Sequence, residues 1–268
     1  MSNTFDERLV PDDSVKQHII YNEHLIRYEL AKKFVKDKTV LDIACGSGYG
    51  TKILAEAGAR EIKGMDISEE AITSARNNYG YENIKYSVGN AEAIALDDKI
   101  IDVAVSFETI EHLKNYDKFL AELARVLKDD GLAVISTPNK DLSRGRNPFH
   151  IKEFNRKEFT EAIKRYFPYC FILEQVNGLA TCIKAPAGAE KGGYADKVIL
   201  NSGDGPVYFI AVCSRQEISG KLPTGTIAGI NTKALNKLYN NPGLKIINKI
   251  YSIIIKIPGV KKILSNFS

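Results

Sequence analysis

At 268 residues and 44% apolar content, the chain is long enough for one large α/β domain with an appendage, and too rich in core-forming residues for general disorder. The opening MSNTFDERLVPDD has no basic stretch followed by an apolar run, and no membrane-length run of apolar residues follows, so the expected location is the cytoplasm, without a membrane span. The net charge of +4 is uneven: from Lys221 onward there are eight lysines and no other charged residue, which leaves the other 29 of the 37 basic residues to face all 33 acidic ones in residues 1–220. An acidic catalytic domain over 1–220 with a basic helical tail over 221–268 is therefore expected. Cys45, Cys170, Cys182 and Cys213 are scattered without a C-x-x-C pair, which supports neither a zinc site nor a disulfide framework.

In chain order, residues 15–35 carry Ile19, Ile20, Leu25, Ile26, Leu30, Ala31 and Phe34 at helical spacing. Thr39–Ala44 is a short apolar run entering glycines, a buried strand before a tight turn, and Thr51–Ala57 returns to helix. A second unit follows, with Glu61–Asp66 as strand and Ser68–Tyr79 as helix capped by Ser68. Ile84–Val88, Ile101–Phe107 and Leu132–Thr137 read as strands, with the helix Asp117–Leu127 stopped by Asp129-Asp130-Gly131. Arg156–Tyr166 reads as helix, and Phe171–Gln175 and Val207–Cys213 as the last two strands, the final one antiparallel. The Gly- and Ala-rich stretch 178–205 has no pattern that fixes its form. Strands alternating with helices predict a seven-stranded, mostly parallel sheet covered on both faces.

The first strand runs into Val40-Leu-Asp-Ile-Ala-Cys-Gly-Ser-Gly-Tyr-Gly50. Glycines at 46, 48 and 50 permit positive φ and let a ligand approach the backbone where strand becomes helix. Counted from Gly46, the sixth place of a dinucleotide fingerprint holds Thr51, so a pyrophosphate-binding turn is not met. Asp66 ends the second strand, where a carboxylate can accept both ribose hydroxyls. The third strand ends in Val88-Gly-Asn-Ala-Glu92.

These strand ends, spread over about residues 40–137, resemble class I S-adenosylmethionine-dependent methyltransferases, which have a Rossmann-like α/β fold. The resemblance implies S-adenosylmethionine as cofactor. Asp42, Gly46, Ser47, Gly48 and Tyr49 would curl around its methionine part, Asp66 and Ile67 would meet the ribose, Asn90, Ala91 and Glu92 the adenine, and Ser106 completes the set. The family usually has aspartate where Asn90 stands. An amide oxygen can still accept from the adenine amino group.

The fourth strand ends in Ser106-Phe-Glu-Thr-Ile-Glu-His-Leu113. If the chain turns helical near Glu108, then Glu108, Glu111 and His112 share one face; the plainer reading has the acids capping a helix while His112 packs. His150, in Asn147-Pro-Phe-His-Ile-Lys-Glu-Phe154 after Ser136-Thr-Pro-Asn139, lies in a loop able to fold over the same pocket. Two carboxylates and two imidazoles resemble the divalent-ion site of plant small-RNA 2′-O-methyltransferases, and ubiquinone-pathway O-methyltransferases share the Glu-x-x-Glu-His part. That resemblance implies Mg²⁺ or Mn²⁺ held by Glu108, Glu111, His112 and His150. Without metal, His150 or His112 is the catalytic base. Both versions call for a hydroxyl acceptor.

The Phe5–Pro11, Glu23–Tyr28, Ser106–His112 and Asn147–Phe154 blocks together resemble bacterial methyltransferases of surface-polysaccharide synthesis, over about residues 5–175. This implies O-methylation of a sugar in a surface glycan or a lipid-linked precursor. The alternatives are RNA 2′-O-methylation, for which the lysine-rich tail offers phosphate contacts, and metal-free O- or N-methylation of a small molecule. An acidic body without a recognised RNA-binding motif argues against nucleic acid. In the tail, residues 242–257 place polar side chains at 245, 248, 249, 252 and 256, opposite an Ile-rich helical face. Such a helix packs on its own domain, on a second copy, or on an anionic membrane at the inner face.

Overall fold

The computed structural model describes residues 19–143, 147–177, 180–184, 205–218 and 227–230. They form a nine-stranded sheet in the order β3-β2-β1-β4-β5-β8-β6-β7-β9. The strands are β1 (Thr39–Ile43), β2 (Glu61–Asp66), β3 (Ile84–Val88), β4 (Ile101–Ser106), β5 (Leu127–Pro138), β6 (Tyr169–Asn177), β7 (Ala180–Lys184), β8 (Tyr208–Ser214) and β9 (Ile227–Ile230). The first five run parallel, and β8 enters antiparallel between β5 and β6. All seven expected strands are present, and the expected Rossmann-like sheet is extended at one edge by β7 and β9.

The helices are α1 (Ile19–Ala31), α2 (Tyr49–Glu56), α3 (Glu69–Tyr79), α4 (Tyr116–Val126), the short α5 (Lys140–Ser143) and α6 (Arg156–Lys164). Alternation along each strand divides the core in two. One face packs Val40, Val105, Val134 and Ile210 against Ile26, Tyr28 and Leu30 of α1 and Leu54 of α2. The other packs Leu41, Ala104, Ile135 and Phe209 against Phe119 and Leu123 of α4 and Phe159 of α6. Strands buried on both faces read as continuous apolar runs, which is why the central four were plain in the sequence.

Local signals set most helix starts. Ser68 caps α3, its hydroxyl accepting from the Ala71 N–H at 3.1 Å, and Asn155 with Glu158 forms a capping box on α6. The expected stop at Asp129-Asp130-Gly131 is different in the structure. α4 ends at Val126, and the chain passes at once into β5, where Leu127 pairs with Ile101 and is fully buried. Pairing and burial of Leu127 outweigh the turn residues after it, which lie where the register shifts between Ile101 and Val103.

The chain divides into two compact units, residues 1–230 and 231–268. The sheet continues past position 220, the expected end of the catalytic domain, because β9 pairs with β7. Segment 1–18 and the tail helix expected over 242–257 lie outside the described residues. Among the described residues, no helix is long and apolar enough to cross a membrane.

Candidate active site

Because β1, β2, β3 and β4 are parallel, their C-terminal ends meet along one edge of the sheet. Between β1 and α2 the chain takes left-handed conformations at Ala44 (φ 60°), Gly46 (φ 54°) and Gly48 (φ 85°). Gly48 has no substitute on two counts: its φ, and an added Cβ that would stand 2.7 Å from Ala75 Cβ and Tyr86 Oη. A Cβ on Gly46 would meet nothing within 4 Å, so the space beside it admits a ligand.

Gly50 has another task. It lies within α2, and an added Cβ would run into the Tyr28 ring, so the third glycine lets α2 close onto α1. Gly50→Ala is expected to overpack this contact at about 1–3 kcal/mol, lowering Tm by roughly 2–4 °C per kcal/mol. An unchanged melting curve would show that the contact yields freely.

Asp42 is buried behind the loop, accepting from Thr51 Oγ1 at 2.6 Å and Tyr28 Oη at 3.4 Å. Burial pushes its carboxyl up to about 7, against the pull of those two hydrogen bonds. Asp42 thus braces the loop from below. Asp66 shapes it from the side: Oδ2 accepts from the Gly46 N–H and Oδ1 from the Ser68 N–H, both at 2.9 Å. A carboxylate oxygen can accept two hydrogen bonds, so this shaping is compatible with holding ribose hydroxyls.

Ser47 is buried in the loop, and the Tyr49 ring packs at 5.8 Å from Tyr28 and 5.6 Å from Tyr21. Ile67 is 68% exposed at the end of β2, an apolar surface suited to a flat ring, while Ala91 is buried. Asn90 is exposed, and its Oδ1 accepts from the Glu92 N–H at 2.8 Å. Glu92 turns toward α4, accepting from the Asn115 N–H at 2.9 Å. Ser106 Oγ is buried without a hydrogen-bond partner. Leaving a buried hydroxyl unpaired costs about 1–3 kcal/mol, a cost that a polar ligand atom at the strand end would remove.

The helix expected from Glu108 does not form there. Glu108 takes a left-handed φ of 51°, and only Ile110–His112 make a 3₁₀ turn. Its N–H donates to Ser136 Oγ at 3.1 Å, and that hydroxyl donates back to Glu108 Oε1 at 2.8 Å. Thr137, the next residue of β5, instead donates to Glu111 Oε2 at 3.3 Å. Neighbouring strand residues face opposite sides, so the two carboxylates are drawn apart. Of the four residues expected around a metal ion, the structure brings three together: ligand atoms of Glu111, His112 and His150 lie within 4.8 Å of one another, and Glu108 is not in the group.

His150 reaches this group because its loop is tied down, with the Ile151 and Lys152 N–H groups donating to the Glu111 carbonyl at 2.8 and 3.0 Å. His150 Nδ1 stands 2.7 Å from Glu153 Oε1, and Nε2 stands 2.9 Å from Asn147 Nδ2. His112 Nδ1 stands 3.1 Å from the Phe149 carbonyl. Carboxylate and carbonyl are acceptors, so each Nδ1 carries a proton, while the His150 Nε2 lone pair accepts from the Asn147 side-chain amide. Glu111 Oε1 is buried with no hydrogen-bond partner, 4.0 Å from His112 Nε2. Burial, with the Glu108 charge, pushes the Glu111 carboxyl well up.

Across the sheet edge the structure adds residues that the sequence reading did not assign to the site. Arg27 of α1 is fully buried, donates through Nη1 to Gln175 Oε1 at 3.0 Å and lies 4.5 Å from the Tyr208 ring centroid. Glu23, one turn earlier, accepts from Tyr208 Oη at 2.8 Å and from Asn177 Nδ2. The available signal was two charges, four apart, on a helix whose other inward positions are apolar.

The topology and the strand-end loops define the Rossmann-like class I methyltransferase fold. Residues 41–135 match the family model described as a methyltransferase domain. A probable S-adenosylmethionine-dependent methyltransferase of Mycolicibacterium smegmatis is 34% identical over 163 residues, 59% of this chain and 62% of that protein. A ubiquinone biosynthesis O-methyltransferase of Sinorhizobium fredii is 32% identical over 110 residues, 40% of this chain and 44% of that protein. The structure of an S-adenosylmethionine-dependent methyltransferase from Thermotoga maritima matches with a TM-score of 0.57 at 16% identity, over 73% of this chain and 90% of that one. At that identity the likeness speaks for the fold alone. The chain spans about three fifths of the length of the first curated relatives it matches.

Proposed function

We propose that this chain transfers the methyl group of S-adenosylmethionine to a hydroxyl, in a sugar of a surface glycan or glycan precursor, with Glu111, His112 and His150 at the reacting oxygen. The carrying observation is the grouping of one orphaned carboxylate oxygen with two imidazoles whose Nδ1 atoms are held by the Phe149 carbonyl and the Glu153 carboxylate. It lies just past β4, beside the strand ends that would hold the cofactor. The family match over residues 41–135 supports the methyl donor. The name of the ubiquinone-pathway relative supports an oxygen acceptor. The sugar rests on the resemblance of the sequence blocks noted above.

Methyl transfer is an in-line displacement. The acceptor oxygen forms a bond to the methyl carbon as the carbon–sulfur bond breaks, giving a methyl ether, S-adenosylhomocysteine and one proton. A neutral hydroxyl is a weak nucleophile, so the proton must be drawn off as the bond forms. In this reading His150 Nε2 takes it on exchanging its Asn147 amide contact for the acceptor hydroxyl, with Nδ1 anchored on Glu153. The same three residues fit a divalent cation, Mn²⁺ better than Mg²⁺ given two nitrogen donors. When bound, it would lower the pKa of the acceptor hydroxyl and fix its position. The lysine-rich tail would bring the enzyme to an anionic membrane carrying a lipid-linked acceptor.

The test uses tritium-labelled S-adenosylmethionine with methyl glycosides and catechol as acceptors. Label on an oxygen of a glycoside, lost on chelation and regained with Mn²⁺, is the expected result. Activity that resists chelation but disappears in His150→Ala supports the metal-free base. Label on nitrogen acceptors alone would contradict the proposal.

A further inference from the structure

Two cysteines far apart in the chain become neighbours in the sheet. Cys170 lies near the start of β6 and Cys213 near the end of β8, and in the antiparallel register they stand directly opposite one another. Opposed residues of an antiparallel pair have their side chains on the same face and their Cα atoms about 4.5 or 5.5 Å apart. Both spacings fall within the roughly 4.4–6.8 Å that a disulfide spans. Both side chains pack into the cluster that holds Ile172, Phe209 and Ala211. Burial, and after it contact with the Cys170 thiol, pushes the Cys213 thiol well up. Cys45 belongs to a separate cluster with Tyr86.

The two environments differ as the members of a redox pair do. Cys213 is fully buried, and its thiol donates to the Ala133 carbonyl at 3.6 Å. Cys170 is partly exposed. An oxidant from solution meets a partly exposed thiol first, while a buried one in apolar surroundings stays unreactive until a sulfur beside it is activated. Methyl transfer uses neither group. They lie beside Ala133 of β5, whereas the hydroxyls that hold Glu108 and Glu111 come from Ser136 and Thr137 farther along that strand.

We infer that Cys170 and Cys213 form a reversible dithiol–disulfide site, in which Cys170 reacts with a hydroperoxide and Cys213 is the resolving thiol. The Cys170 sulfur takes one oxygen from the peroxide, whose O–O bond breaks, leaving a sulfenic acid and an alcohol, or water where the oxidant is hydrogen peroxide. The Cys213 sulfur then attacks the Cys170 sulfur. The S–S bond forms, the S–O bond breaks, and hydroxide departs as water with the Cys213 proton. Two electrons pass from the thiols to the peroxide, and a thiol reductant returns them by exchange. Because the paired strands already hold both Cα atoms at disulfide spacing, closure needs side-chain rotation without backbone movement. The site stands independently of the methyl-transfer reading.

The experiment exposes the folded full chain to a few equivalents of hydrogen peroxide, blocks the remaining thiols and maps the peptides by mass. The expected product is one intrachain link between Cys170 and Cys213, consuming two of the chain's four cysteines and reversed by dithiothreitol. Its Tm should exceed that of the reduced chain by several degrees, because the link closes the long connection from β6 to β8. In Cys213→Ala the sulfenic acid on Cys170 should persist and be trapped by dimedone, with no rise in Tm. Cys170→Ser, at the partly exposed position, should lose both the link and the rise in Tm, and it carries the test if Cys213→Ala fails to fold.

A link from Cys170 to Cys45, to Cys182 or to a second chain would overturn the inference. So would peroxide treatment that leaves both thiols free, or a linked chain that melts below the reduced one.

Discussion

Asp66→Ala is expected to weaken binding of S-adenosylhomocysteine by about a hundredfold or more, because it removes a charged acceptor from two backbone N–H groups at about 1.5–3 kcal/mol each. One of those groups belongs to Gly46, at the centre of the cofactor loop, and the other to Ser68, at the start of α3. Without the carboxylate, the loop loses the bond that sets it against β2, and any ribose contact goes too. Asp66→Asn keeps one acceptor oxygen and should fall between wild type and alanine. Calorimetric titration gives the affinity, and thermal unfolding should show that α3, still capped by Ser68, remains folded. An affinity within twofold of wild type would remove Asp66 from the cofactor site.

His150→Ala should lower kcat by about 10²–10⁴-fold, the usual contribution of a positioned acid–base group, with cofactor affinity intact. The loop itself should persist, since Ile151 and Lys152 hold it to Glu111 through their backbone N–H groups. Glu153→Gln preserves an acceptor for His150 Nδ1 but removes the charge beside it. It should cost about tenfold, as outer partners of a working imidazole commonly do. A kcat within threefold of wild type in His150→Ala would place the reacting oxygen elsewhere.

The sheet was legible because its central strands are buried on both faces and leave unbroken apolar runs between turn signals, as in Thr39–Ala44 and Ile101–Phe107. Ser68 as a cap was legible too, because capping is a local interaction. Leu127 was not, because its pairing with Ile101 is a long-range contact that overrides the helix-stop residues after it. Gly50 looked like its neighbours Gly46 and Gly48, and only the approach of Tyr28 from α1 shows that it serves packing.

At the candidate site, the grouping of Glu111, His112 and His150 could be expected from two separate blocks. The departure of Glu108 could not, since it depends on a left-handed residue and a hydroxyl from β5. Arg27 and Glu23 carried their signal in α1, but their meaning lies in Tyr208, far along the chain on β8.

The most direct measurement is calorimetric titration of Mn²⁺ into the S-adenosylhomocysteine complex of wild type, Glu111→Ala, His150→Ala and Glu108→Gln. One site in wild type, lost in the first two variants and kept in Glu108→Gln, is the expected result. No binding to wild type, or binding that survives both Glu111→Ala and His150→Ala, would contradict a metal centre at this edge of the sheet.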